Sequence, residues 1–268
     1  MKVVAVTGVA SGIGAALVSV LKKQDVRVIG FDLRDENKQV DRFIPLDLND
    51  PASIETAVTA MDEPIDGLCN NAGVPPREGL EATILQVNFL GQRHFTQGLL
   101  PRINQGGAIV NMASRAGHGW RDGLEQVKRL AALTGPDQLS DFVKEEGIDA
   151  TRAYNLSKEA MILWTIAEVE PMIAQGVRVN SISPGGVATG ILDDFRRAFG
   201  AQMARNVERA GRPGTAEEIA QIAAFVLSPQ AGWLKGADIP IDGGMGAFNM
   251  SDQLGLGALR LNSKRGAK

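Results

Sequence analysis

Tyr154 and Lys158 stand four residues apart in Tyr154-Asn155-Leu156-Ser157-Lys158, a spacing that puts a phenol and an ammonium on one face of a helix. A phenol in water titrates near pH ~10, and a cation within a few ångströms favours the phenolate, which brings proton transfer closer to neutrality. The pair is a candidate general acid/base unit. The same spacing also arises when two polar residues meet on a solvated helix face, so its meaning depends on what the rest of the chain places around it.

The elements that would position such a pair begin at the N-terminus. Lys2 to Thr7 is a β-branched run ending in Gly8, and Ser11-Gly12-Ile13-Gly14 opens an apolar-periodic stretch, Ala15 to Lys23. That order is strand, glycine turn, helix. Gly8, Gly12 and Gly14 suit a tight turn, a close backbone approach to a pyrophosphate, and a close helix-to-strand contact, with helix N–H groups facing the phosphates. The next strand, Val26 to Phe31, ends in Asp32, an acceptor for adenosine ribose hydroxyls that would repel a 2′-phosphate; NAD is therefore expected, with Arg34 leaving NADP open. A third strand, Arg42 to Leu46, ends at Asp47-Leu48, where Asp47 reads either as an adenine neighbour or as a turn residue. Asp50-Pro51 opens a helix, Ile65 to Cys69 is a buried strand, and Asn70-Asn71-Ala72-Gly73 closes it with small and amide residues.

Composition sets bounds around this reading. The chain has 268 residues, 44% hydrophobic and 22% charged, enough for one large domain with a substantial core. A net charge of −3 leaves no electrostatic footprint for nucleic acid. No apolar run reaches membrane-spanning length, so no membrane partner is expected. The single cysteine, Cys69, has no internal disulfide partner, and no charged and apolar leader precedes Val3, which makes the cytoplasm the expected compartment. His94 and His118 have no second His or Cys at ligand spacing, so no metal is expected.

Thr7-Gly8-x-x-x-Gly12-Ile13-Gly14, Asn71-Ala72-Gly73, Ser114 and Tyr154-x-x-x-Lys158, in that order, resemble the short-chain dehydrogenase/reductase family from Lys2 to about Gly244. The resemblance implies a single doubly wound Rossmann-type α/β domain over residues 1–246, with a seven-stranded parallel sheet, and a C-terminal tail over 247–268. It implies a catalytic tetrad of Asn88, Ser114, Tyr154 and Lys158, with Ala113 replacing the first hydroxyl of the usual Ser-Ser pair. Tyr154 would exchange a proton with the substrate oxygen while Ser114 holds that oxygen. Lys158 would lower the phenol pKa and bind the nicotinamide ribose, and Asn88 would position a water that links Lys158 to solvent. Pro184, Gly185, Val187 and Thr189 match the segment that holds the nicotinamide carboxamide, which completes a cofactor set of Gly8, Ser11, Gly12, Ile13, Gly14, Asp32, Asp47, Leu48, Asn71, Ala72 and Gly73 with Tyr154 and Lys158. A homodimer or homotetramer is implied as well.

About forty residues separate Ser114 from Tyr154, more than most family members have. Trp120, Leu124, Val127, Leu130, Leu139, Phe142 and Val143 recur at helical spacing around the break Gly135-Pro136, so residues 116–152 read as two helices serving as a lid or an oligomer surface, the lid being preferred. Together with Ile65-Asp66-Gly67-Leu68-Cys69-Asn70 and Ile239-Pro240-Ile241-Asp242-Gly243-Gly244, this insertion is similar to a bacterial branch of the family that acts on aryl or allylic alcohols such as coniferyl alcohol, or on 3-hydroxysteroids. The apolar residues of the substrate loop 186–212, Ile191, Leu192, Phe195, Phe199 and Met203, favour an apolar or aromatic alcohol. A non-catalytic NAD-binding sensor is the contrasting reading, disfavoured by the intact tetrad.

Overall fold

The computed structural model describes residues 2–188, 190 and 192–260. Thr189 and Ile191 lie outside the described residues, as does the end of the tail.

Seven parallel strands form one sheet: β1 Val3–Thr7, β2 Arg27–Asp32, β3 Arg42–Pro45, β4 Ile65–Asn70, β5 Ile103–Met112, β6 Arg178–Pro184 and β7 Asp238–Ile241. Their order across the sheet is β3-β2-β1-β4-β5-β6-β7, every pair parallel. The chain moves outward from β1 to β3 and then returns to the other side of β1, so a crevice opens at the carboxyl ends of β1 and β4. Strand periodicity divides the core in two. Val4 and Val6 face Leu17, Leu21, Ile219 and Ala223 on one side. Ala5, between them, faces Ile29, Phe31, Ile54 and Phe95 on the other.

The helices follow from their ends. Pro51–Ala60 starts at Asp50, whose carboxylate accepts from the Ala52 N–H at 2.9 Å. Ala216–Leu227 starts with a capping box: Thr215 Oγ1 accepts the Glu218 N–H, and the Glu218 carboxylate accepts the Thr215 N–H. Glu81–Leu99 is one continuous helix interrupted by a π turn at Gln86–Leu90, which contains Asn88.

A third apolar cluster joins the insertion to the helix Ala150–Ala167. Val127, Leu130, Leu139 and Phe142 pack with Ala153, Leu156 and Ala160. The expected helix pair is present as Trp120–Ala131 and Leu139–Glu145, separated by a 3-10 turn at Pro136–Gln138. The amphipathic faces of this pair lie against the helix that carries Tyr154; no residue between 120 and 145 lines the cavity described below, whereas Ala116, His118 and Gly119 at the start of the insertion do. The segment that enters the expected tail carries regular structure. Met245–Gln253 is a helix and Leu256–Leu259 a 3-10 turn. Asp242 starts that helix, accepting from the N–H groups of Gly244 at 2.9 Å and Gly246 at 2.8 Å.

Buried amides tie the middle strands together. Asn70 donates to Thr96 Oγ1 and to Asn111 Oδ1, both at 2.8 Å, and Asn111 donates to Thr165 Oγ1 at 2.9 Å. Asn111→Ala would leave the Asn70 donor without that acceptor in a fully buried layer, an expected cost of about 2–4 kcal/mol. Urea unfolding checks this: the midpoint should fall at constant slope, and an unchanged midpoint would show that the tie does not stabilise the fold.

Candidate active site

At the end of β1, Gly8 takes φ +75°, and a Cβ there would lie 2.8 Å from Ala72 Cα. Gly14 meets a tighter limit, since a Cβ would lie 1.9 Å from Gly8 O. Its role is to let the helix Gly12–Lys22 press on the strand end, while Gly8, Ser11, Gly12 and Ile13 line the cavity. Ser11 precedes the first helical turn without a side-chain cap bond, so the turn's N–H groups face the cavity mouth uncapped by it.

Asp32 closes β2, and its carboxylate accepts from the Ala10 N–H at 2.9 Å and the Leu33 N–H at 2.7 Å. It therefore shapes the glycine turn as well as facing the crevice. Arg34 also lines the cavity but is exposed and paired with Glu36 at 3.0 Å. Asp47 accepts from the Asn49 N–H at 2.8 Å as a turn residue, and with Leu48 it also lines the cavity. Asn71 donates to Thr7 O at 3.0 Å and Gly8 O at 3.2 Å, which locks β4 to the glycine turn and leaves Ala72 and Gly73 on the cavity wall.

Asn88 does not line the cavity. Its Oδ1 accepts from the Val74 N–H at 2.7 Å and its Nδ2 donates to Val74 O at 3.0 Å, so this amide fixes the loop after Gly73. A π turn at this place widens the helix by one residue, a distortion that recurs at functional sites.

Ser114 follows β5 directly and starts the 3-10 turn Arg115–Gly119, accepting from the Ala116 N–H at 3.2 Å. That turn is pressed onto the helix Ala150–Ala167: a Cβ on Gly117 would lie 2.6 Å from Lys158 O. The turn is also anchored to β7 and the loop after it, with Arg115 Nε 3.1 Å from Asp242 and His118 Nε2 3.0 Å from Asp238. Burial works to raise the Asp238 carboxyl, yet hydrogen bonds from His118, Ser181 and Ser183 leave it below the usual range. His118, which also lines the cavity described below, thus braces the serine turn.

Tyr154 and Lys158 are both buried, at 6% and 5% exposure. Burial pushes the Tyr154 phenol up to about 12, and its hydrogen bond with Ser114 works in the opposite direction. Lys158 Nζ lies 5.7 Å from the centre of the Tyr154 ring and donates to Met112 O at 2.8 Å. Burial lowers Lys158 to about 8. Burial thus raises the phenol where a lowering by Lys158 was expected, and the opposing contribution comes from Ser114. Phe199 packs edge-on against Tyr154, with ring centres 6.3 Å apart.

These groups share one cavity of about 1090 Å³, which runs from the glycine turn and Asp32, past Asn71 and Gly73, to Ser114, Tyr154 and Lys158, with Pro184, Gly185 and Val187 beside them. Sequence reasoning missed Asn206, Met245, Asn249 and Gln253, which also line it. The only available signal was Met245, Asn249 and Gln253 at helical spacing of four, obscured by the glycines around them. No metal-binding group of three His, Cys, Asp or Glu exists among the described residues, and none of their helices is long and apolar enough to cross a membrane.

Residues 2–124 match the family model described as short chain dehydrogenase, and residues 138–246 match that described as enoyl-(acyl carrier protein) reductase. Coniferyl-alcohol dehydrogenase of Pseudomonas sp. (strain HR199 / DSM 7063) is 36% identical over 91% of this chain and 96% of its own length. The 3-alpha-hydroxysteroid dehydrogenase/carbonyl reductase of Comamonas testosteroni is 28% identical over 92% and 97%. Among solved structures, the 3-alpha-hydroxysteroid dehydrogenase from Pseudomonas sp. B-0831 complexed with NADH superimposes with TM-score 0.82 at 32% identity, covering 93% of this chain and 99% of that one.

Burial of Lys158 has a thermodynamic consequence. Its folded pKa of about 8 lies below the unfolded value of 10.5, so below pH 8 the folded state holds a buried ammonium at a cost, relieved as pH rises from about 8 to 10.5. Lys158→Met should therefore stabilise the protein by about 1–3 kcal/mol at pH 7, a gain that shrinks toward pH 10.5. Urea midpoints of both proteins across that range check the sign; a variant less stable at pH 7 than wild type would contradict it.

Proposed function

The chain belongs to the short-chain dehydrogenase/reductase family, and from that premise we propose that it interconverts an aryl or allylic alcohol, of the kind represented by coniferyl alcohol, and its carbonyl with NAD. The observation that carries this reading is the single cavity that joins the glycine turn and Asp32 to Ser114 and Tyr154. About 1090 Å³ is room for a dinucleotide and a small organic molecule end to end.

In the proposed site the turn from Gly8 to Gly14 receives the pyrophosphate, and Asp32 accepts the adenosine ribose hydroxyls. Asp32 disfavours a 2′-phosphate, and Arg34, exposed and already paired with Glu36, supports NAD over NADP. Asp47 and Leu48 face the adenine, and Pro184, Gly185 and Val187 the nicotinamide end. Bound there, the nicotinamide supplies the hydride acceptor and, when oxidised, a positive charge near the phenol. Such a charge favours the phenolate and opposes the rise that burial causes at Tyr154. Ser114 donates to the substrate oxygen, and Tyr154 takes the carbinol proton in oxidation or returns it in reduction. Lys158, held by the Met112 carbonyl, binds the nicotinamide ribose, and Asn88 keeps the Val74 loop in place.

A 3-hydroxysteroid is the second reading, supported by the likeness to the steroid dehydrogenase structure. The proposal includes residues 1–246 as the dehydrogenase domain, a cytoplasmic location and a homodimer or homotetramer, the last open to light scattering.

Absorbance at 340 nm with NAD, coniferyl alcohol and a 3α-hydroxysteroid separates the readings. Coniferyl alcohol should turn over faster, and Tyr154→Phe should lose about 10²–10⁴-fold in kcat while still binding NAD. Cofactor binding without turnover of any alcohol would instead support a sensor, and preference for the steroid would select the second reading. Asp32→Ala should raise relative use of NADP; unchanged preference would remove Asp32 from its assigned role.

A further inference from the structure

The helix Met245–Gln253 forms a wall of the cavity. Met245, Asn249 and Gln253, one turn apart, all line it. Both ends of this helix are held. At its start, Asp242 binds the Gly244 and Gly246 N–H groups and Arg115, the neighbour of Ser114. Met245 Sδ packs beside Gly185, 3.2 Å from where a Cβ would stand. Toward its end, Asp252 pairs with Arg209 at 2.7 Å, and the Arg209 guanidinium lies 4.7 Å from the centre of the Phe248 ring.

Those contacts fix the helix beside Leu192–Ala210 and place two amides. Asn206 lies three residues before Arg209, and Asn249 three before Asp252, so each shares a helix face with one member of the ion pair. Both amides line the cavity, both are half-buried, and neither makes a side-chain hydrogen bond with any described residue. At 1.5 Å rise per residue, Asn249 sits roughly 6 Å further along the wall than Met245, away from the Gly185 end.

We propose that Asn249 and Asn206 form the specificity end of the substrate site and bind hydroxyl or methoxy oxygens on the aromatic ring of the alcohol. This rests on the aryl-alcohol reading above. An amide offers both donor and acceptor, and so serves a phenol hydroxyl in either sense and a methoxy oxygen as donor. A hydrocarbon flank laid against the two amides would bury them without partners, which disfavours it. An aryl alcohol with oxygens on its ring meets apolar wall at Phe199 and Met245 and polar groups beyond.

The test compares kcat/KM for coniferyl alcohol with that for cinnamyl alcohol, which lacks the ring oxygens, in wild type and in Asn249→Leu and Asn206→Leu. Wild type should prefer coniferyl alcohol, and each variant should lower that preference about tenfold while cinnamyl alcohol changes by less than about twofold. Retained turnover of cinnamyl alcohol shows that the variants fold. Asn249→Ser, which keeps a small donor and acceptor, should restore part of the preference. Equal losses on both alcohols, or no change on either, would overturn the assignment while leaving the aryl-alcohol reading intact. Wild-type turnover of a 3α-hydroxysteroid with neither aryl alcohol accepted would overturn both.

Discussion

A hydrogen bond from a buried ammonium to the last carbonyl of a central strand, Lys158 Nζ to Met112 O at 2.8 Å, is the contact on which the site depends. It joins the carboxyl end of β5 to the third turn of the helix Ala150–Ala167. Ser114 stands two residues beyond that carbonyl and Tyr154 one turn before that ammonium, so the bond sets their meeting. A charge held in this way is costly, and burial lowers Lys158 to about 8. The surrounding structure must hold the geometry, because Lys158 would be better hydrated elsewhere.

Two sets of contacts supply that support. From below, buried amides link the strands: Asn71 fastens β4 to the glycine turn, and Asn70 and Asn111 join β4, β5 and Thr165 on the active-site helix. From the side, the insertion clamps the same helix through Val127, Leu130, Leu139 and Phe142, and Arg152, paired with Glu159 on its own helix, donates to Gln126 of the insertion at 2.7 Å. Gly117 then seats the serine turn directly on the helix backbone at Lys158. The helix pair of the insertion braces the active-site helix, and its position in the chain, between Ser114 and Tyr154, suits that task.

The substrate side is built differently. Its walls come from two helices remote in sequence, Leu192–Ala210 and Met245–Gln253, cross-linked by Arg209 and Asp252 and tied through Asp242 to Arg115, the residue after Ser114. Ion pairs with partly exposed partners are individually weak, of order 0–1 kcal/mol. A wall held in that way tolerates change more readily than the amide-tied crevice, which suits a surface that selects substrates.

Much was legible in the sequence because it depends on local spacing. The glycine turn, Asp32 after its strand, and Tyr154 four residues before Lys158 each express a helix or strand period, and the first four strands could be read as short runs between turn residues, the full count of seven following from the family resemblance. What tertiary structure decided concerns residues far apart in the chain or environments that no spacing records. Asn88 proved to hold Val74, the insertion to brace a helix, and residues 245–253 to form a helix because Asp242 caps a start that glycines disguise. The rise of the phenol has the same origin: a sequence shows that a cation stands one turn away, but only the fold shows how much water has been removed from both groups, and burial is what raises Tyr154.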